Sequence, residues 1–196
     1  VPYDEYDYLV SGFYNIQGLG DPMDLMYPLL PAHGNVMRSG TEGEDAPIII
    51  GGGHCAYNPE PIADFFDIFS IGEGEEALPE LARLYISMKQ DGTYTRAAFL
   101  HAAAKLDGFY VPSLYEHSYN SDGTIAAITP CPGAPKQVTK RIVEDLNHAY
   151  FPAKTIVPST EIVHDRSNLE IFRGCIRGCR FCQAGFCYRP IRSKRA

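Results

Sequence analysis

The sequence predicts an α/β chain built on an open parallel sheet, and three observations carry that expectation. Pro47-Ile48-Ile49-Ile50 is a continuous apolar run that leads straight into Gly51-Gly52-Gly53, the pattern of a strand buried on both faces that delivers a glycine turn. Asp67-Ile68-Phe69-Ser70-Ile71-Gly72 reads as a second strand of this kind. Behind it, Glu73-Gly74-Glu75-Glu76 opens a segment in which Ala77, Leu78, Leu81, Ala82, Leu84, Tyr85 and Met88 recur at helical spacing, with acids at the positive end of the helix dipole and Pro79 early enough to be tolerated. Open α/β sheets bind ligands beyond the carboxyl ends of their strands, which makes Gly51, Gly52, Gly53 and Glu73 candidate cofactor-binding residues. The competing reading of the same glycines is a tight strand-to-helix turn with no ligand.

The remaining elements follow in chain order. Tyr8 to Phe13 is a β-rich run that ends near Gly18-Leu19-Gly20, and Asp24 to Tyr27 reads as a short helix stopped by Pro28, Pro31 and Gly34. Asn58 to Phe66, with prolines near its start, predicts another short helix. A helix over 97–106 ends at Asp107-Gly108; Phe109 to Pro112 and Leu114 to Tyr119 are strand-like, and Asn120-Ser121-Asp122-Gly123 signals a hairpin ahead of Thr124 to Ile128. Pro130-Cys131-Pro132-Gly133-Ala134-Pro135 reads as an irregular linker, and Asn168 to Phe172 as a strand that leads into Arg173-Gly174-Cys175. The expected division is an α/β domain over 1–92, a connecting helix, hairpin and linker over 93–160, and a third region over 161–196.

Composition narrows the function classes. The chain has 196 residues, 45% of them hydrophobic and 21% charged, which excludes fibrous and largely disordered classes. No apolar run approaches the roughly 18 to 20 residues needed to cross a bilayer, so no membrane partner is expected. The acidic and aromatic start, Val1-Pro2-Tyr3-Asp4-Glu5-Tyr6-Asp7, is unlike a secretory signal, and the expected location is the cytoplasm. Charge is divided unevenly: residues 1–172 carry 10 Lys and Arg against all 24 acids, whereas residues 173–196 carry 7 Lys and Arg and no acid. The same short basic segment holds four of the six cysteines. A secreted disulfide scaffold would spread its cysteines along the chain, so a reduced compartment with a metal or cluster site fits better.

Cys175-Ile176-Arg177-Gly178-Cys179-Arg180-Phe181-Cys182 has the spacing C-x3-C-x2-C. Three thiolates in so short a loop can cap three corners of a cubane cluster and leave one iron open, while Gly174 and Gly178 let the backbone bend and Arg173, Arg177 and Arg180 offset negative charge. Two other readings stand beside this one: a structural zinc site with Cys187 as fourth ligand, and buried thiols with no ligand. Arg189, Arg192, Lys194 and Arg195 suit either contact with nucleic acid or packing against acidic parts of a larger domain.

The stretch from Glu161 through His164, Arg173-Gly174-Cys175 and Phe181-Cys182 to Gly185 resembles the start of the radical S-adenosylmethionine (SAM) domain in proteins that carry a vitamin-B12-binding-like domain in front. Gly51-Gly52-Gly53-His54-Cys55-Ala56-Tyr57-Asn58-Pro59, Ile71-Gly72-Glu73-Gly74-Glu75-Glu76, Tyr110 to Tyr115 and Cys187-Tyr188-Arg189-Pro190 agree with it. The resemblance implies a B12-binding-like, Rossmann-type open parallel sheet, then a linker region, then the first strand and cluster loop of a radical SAM partial β/α barrel. It implies that Cys175, Cys179 and Cys182 are the metal ligands of a [4Fe-4S] cluster, that SAM chelates the open iron, and that Phe181 lies near its adenine. Cobalamin enters as a further candidate cofactor, although the lower-ligand signature D-x-H-x-x-G does not occur. The sequence leaves the catalytic residues unknown. The expected partners are an electron donor and a substrate, RNA among the candidates. Because the barrel of such proteins runs far past the cluster loop, the expectation is a fragment, truncated at both ends and inactive alone. A contrasting reading is a module that binds a corrinoid or nucleotide and uses a zinc-stabilised cysteine loop to contact nucleic acid.

Overall fold

The computed structural model describes residues 10–12, 46–150 and 169–195. The chain separates into two compact units, Val1–Arg141 and Ile142–Ala196, and is mixed α/β with small sheets. The expected helix at 24–27 and most of the expected strand at 8–13 lie outside the described residues.

The first unit is organised by a four-stranded sheet in the order β1 (Val10–Gly12), β2 (Ile49–Gly52), β3 (Ile68–Ser70) and β4 (Phe109–Tyr110). β1, β2 and β3 run parallel, with Val10 opposite Ile49 and Ile50 opposite Ile68, and β4 is antiparallel to β3, with Phe69 opposite Tyr110. Side chains alternate across a strand, so neighbours in sequence serve different cores. Ile68 and Phe109 enter a cluster with Ile48, Ile50, Phe99 and Leu81, while Phe69 and Tyr110 enter a second one with Ala56, Ile62 and Phe65. The sheet is therefore covered on both faces, which accounts for the unbroken apolar runs.

The first cluster is completed by two helices, α1 (Gly74–Gln90) and α2 (Arg96–Ala103). α1 buries Ala77 and Leu81 and runs through the exposed Pro79, which forgoes one backbone bond. α2 begins at Thr95, whose side chain accepts from the Ala98 amide at 3.1 Å. Two 3-10 segments, His54–Tyr57 and Glu60–Phe65, cover the second cluster. The sequence predicted one short helix there; with Pro59 and Pro61 lacking amide hydrogens, the chain forms a tight 3-10 turn instead.

One buried ion pair locks this arrangement. Asp67 and Arg96, with side chains 1% and 8% exposed, meet at 2.6 Å. Asp67 also accepts the Ile49 amide at 2.8 Å, and Arg96 donates to the carbonyls of Ala46 at 2.9 Å and Pro47 at 3.3 Å. The start of β2, the turn before β3 and the first turn of α2 are thus joined by charge-assisted bonds from the two terminal nitrogens of Arg96 and from Asp67. Residues 93–110, which the sequence assigned to the connecting region, supply α2 and β4 to this same body.

Beyond β4 the predicted hairpin forms from β5 (Tyr115–Tyr119) and β6 (Ile125–Pro130), with Tyr115 opposite Pro130. Asp122 accepts from the Thr124 amide and hydroxyl, which holds its carboxyl below the usual range, and Gly123 takes the positive φ that the turn requires.

The second unit contains a short antiparallel pair, β7 (Phe172–Arg173) and β8 (Arg192–Ser193), with α3 (Ala184–Cys187) between them. The strand expected over 168–172 is reduced to its last residue and Arg173; residues 161–168 lie outside the described set.

Candidate metal and cofactor site

The cysteine loop lies between β7 and α3, and two glycines set its path. A Cβ on Gly174, whose φ is +100°, would stand 2.9 Å from the carbonyl oxygens of Tyr188 and Pro190 and from the Ile191 Cα; a Cβ on Gly185 would stand 2.7 Å from the Arg177 carbonyl. Only glycine lets the loop fold this closely onto the segment that returns to β8. Gly178 has nothing within 4 Å, so the loop tip is open. Within it the Cys182 amide donates to the Cys179 carbonyl at 3.1 Å.

Cys175 and Cys182 are half-buried, Cys179 is exposed and Cys187 is buried. All six cysteines lie among the described residues, and none forms a disulfide. Phe181 projects into solvent with 93% of its surface exposed. Among the described residues no group of three or more His, Cys, Asp or Glu side chains stands close enough to hold a metal ion, so the structure does not draw the three thiols together. The donor set nevertheless fits an iron-sulfur cluster: three soft ligands within eight residues, on a glycine-hinged loop with an open tip. Thiol ligands bind as thiolates, and their mutual repulsion opposes closure until a metal neutralises them.

The loop's arginines divide by role. Arg173 forms a forked pair with Glu170 at 2.6 and 3.0 Å, with Lys194 at 3.7 Å from the same carboxylate, and the Arg173 hydrogen bond holds the Glu170 carboxyl below its usual range. The sequence assigned Arg173 to cluster neutralisation, whereas the fold spends much of its fork on Glu170. Arg177 and Arg180 remain on the exposed part of the loop.

The second set of candidates lies at the carboxyl end of the parallel strands. Gly51 is buried in β2, where a Cβ would meet the Phe66 and Phe69 rings at 3.0 Å, so packing against the two rings favours glycine there. Gly52 has ordinary clearance from Ser70, and Gly53, at φ +88°, has nothing within 4 Å. Glu73 precedes the first turn of α1, and its amide donates to the Arg141 carbonyl at 2.9 Å. Gly53 and Glu73 thus leave the sheet at the same end, as the topology requires of parallel neighbours.

Two polar clusters escaped sequence reading. Glu60 accepts a short hydrogen bond from the Tyr110 hydroxyl and stands 2.9 Å from His117 Nε2; burial first, and then the Glu60 carboxylate, push the Tyr110 phenol far above its usual range. Arg141 reaches Glu80 at 3.0 Å and Glu76 at 3.4 Å. Partners this far apart in the chain leave no local pattern to find.

Comparison with known proteins adds one finding. Residues 27–112 match the family model of radical SAM proteins, N-terminal. The matched span is under half of the chain, lies in the first unit and ends well before Cys175; it supports a radical SAM protein. No curated protein and no solved structure matches the chain. No helix among the described residues is long and apolar enough to cross a membrane.

Proposed function

We propose that this chain belongs to an iron-sulfur enzyme of the radical SAM class, in which Cys175, Cys179 and Cys182 hold three irons of a [4Fe-4S] cluster. The observation that carries the reading is the co-occurrence, in one chain, of two independent signals: the match over 27–112 and the C-x3-C-x2-C loop at 175–182, which the match does not touch. A cluster of this kind, with SAM on its open iron, supplies reductive cleavage of the carbon-sulfur bond to a 5′-deoxyadenosyl radical. The residues of this chain contribute placement. Gly174 and Gly185 set the loop's path, the Glu170–Arg173 fork pins the strand before it, and the exposed Phe181 offers a ring face to the adenine. The reading assigns no role to cobalamin and names no substrate.

Anaerobic reconstitution with iron and sulfide, followed by electron paramagnetic resonance of the reduced protein with and without SAM, tests it. The expected result is a cubane signal that shifts on adding SAM and is lost in Cys179→Ser. Stoichiometric zinc without acid-labile sulfide would refute it and favour the zinc-stabilised binding module.

A further inference from the structure

The irregular stretch after β6 is bonded along its length to the first unit. The Cys131 amide donates to the Leu114 carbonyl at 2.8 Å, and the Tyr115 hydroxyl donates to the Pro135 carbonyl at 2.8 Å. Ala134 packs against the first apolar cluster and Val138 against the second, so the stretch touches the cores on both faces of the sheet. It finishes at Arg141, which forms a parallel bridge with Gly72: the Arg141 amide donates to the Ile71 carbonyl at 2.9 Å, and the Arg141 carbonyl accepts the Glu73 amide at 2.9 Å.

The seat for Arg141 is closely fitted. A Cβ on Gly72, at φ +111°, would fall 2.1 Å from the Arg141 carbonyl oxygen, and one on Gly108, at φ +91°, would fall 2.8 Å from the Arg141 Cβ. Two glycines in the left-handed region, from different parts of the chain, therefore make room for one residue. Glu76 and Glu80, one turn apart on α1, receive its guanidinium. These side chains are only partly buried, with Arg141 25%, Glu80 36% and Glu76 54% exposed, so each ion pair is worth little and is screened by salt.

We propose that residues 134–141 form a releasable strap across the end of the sheet where β3 finishes, with Arg141 as its latch and Gly72, Gly108, Glu76 and Glu80 as the seat. While the strap is docked, the Glu73 amide at the start of α1 is occupied by the Arg141 carbonyl, and the Glu76 and Glu80 carboxylates are partly neutralised. Release frees all three groups at once, at the end of the sheet where Gly53 also emerges. The strap requires neither the cluster nor SAM, and it stands whether or not the proposed activity does.

Amide hydrogen exchange on the full chain tests the device, with the Ile50 and Phe69 amides as core references. In Arg141→Met, which keeps the stem and main chain and removes the guanidinium, the Glu73 and Arg141 amides are expected to exchange roughly 3- to 30-fold faster while the references hold. Molar salt is expected to move the wild-type protein the same way, and Glu80→Gln to give a smaller change. Unchanged exchange at both amides in Arg141→Met would overturn the latch. Equal acceleration of the core references would also overturn it, since Arg141 would then be an ordinary part of the fold.

Discussion

The two units use phenylalanine in opposite ways. In the first, Phe69, Phe99 and Phe109 are essentially sealed, each at most 1% exposed; in the second, Phe181 is 93%, Phe186 63% and Phe172 56% exposed. The first unit spends its aromatic surface on stability, through Phe99 against Tyr85 and Tyr94 and Phe69 against Phe66 and Tyr110. The second holds its path through glycine clearances and a Glu170–Arg173 fork. An apolar ring that is 93% exposed, as Phe181 is, contributes little to a core.

Substitution can break that contrast. Phe99→Ala should destabilise the first unit by about 3–5 kcal/mol in denaturant unfolding, whereas Phe181→Ala should cost under ~0.5 kcal/mol yet weaken the SAM-induced change in the cluster signal. Equal costs would mean that Phe181 is packed in solution and would remove its proposed role. Arg96→Met should cost about 3–5 kcal/mol, because it strands the carboxylate of Asp67 in the interior; Asp67→Asn together with Arg96→Met should recover part of that loss. A full loss in the double variant would show that the bonds to Ala46, Pro47 and Ile49 outweigh the charge.

The smallest expected effect lies in the second unit and depends on pH. Arg173 lowers the Glu170 pKa in the folded state, so the tie contributes stability above the ordinary glutamate value of about 4.3, and that contribution is lost as pH falls through the folded pKa. The protection factor of the Lys194 amide, which donates to the Ile171 carbonyl at 2.9 Å, should fall over that range in the wild-type protein and be flat in Glu170→Gln. A wild-type profile as flat as the variant's would show that the fork does not hold β7.

The sequence disclosed what repeats and concealed what is solitary. The apolar run at 47–50 and the helical spacing from Ala77 to Met88 were legible because many residues repeat one preference, and the hairpin was legible because Asp122 and Gly123 carry their own turn chemistry. β4 was legible as strand-like over Phe109 to Pro112 but was placed in the connecting region, since its pairing with β3 joins segments far apart in the chain. Arg96 and Arg141 drew no reading from the sequence, because their partners at Asp67, Glu76 and Glu80 are brought near only by the finished fold. The spacing of Cys175, Cys179 and Cys182 was plain, but their convergence is not present among the described residues.

The buried Arg96 has a mechanical consequence as well. Tension on the segment immediately before β2 passes through Ala46 and Pro47, whose carbonyls are gripped by that one guanidinium. The load passes sideways into α2 and, through Asp67, to the root of β3 before it can shear the β2–β3 ladder. A single side chain thus acts as a strain relief for the centre of the sheet.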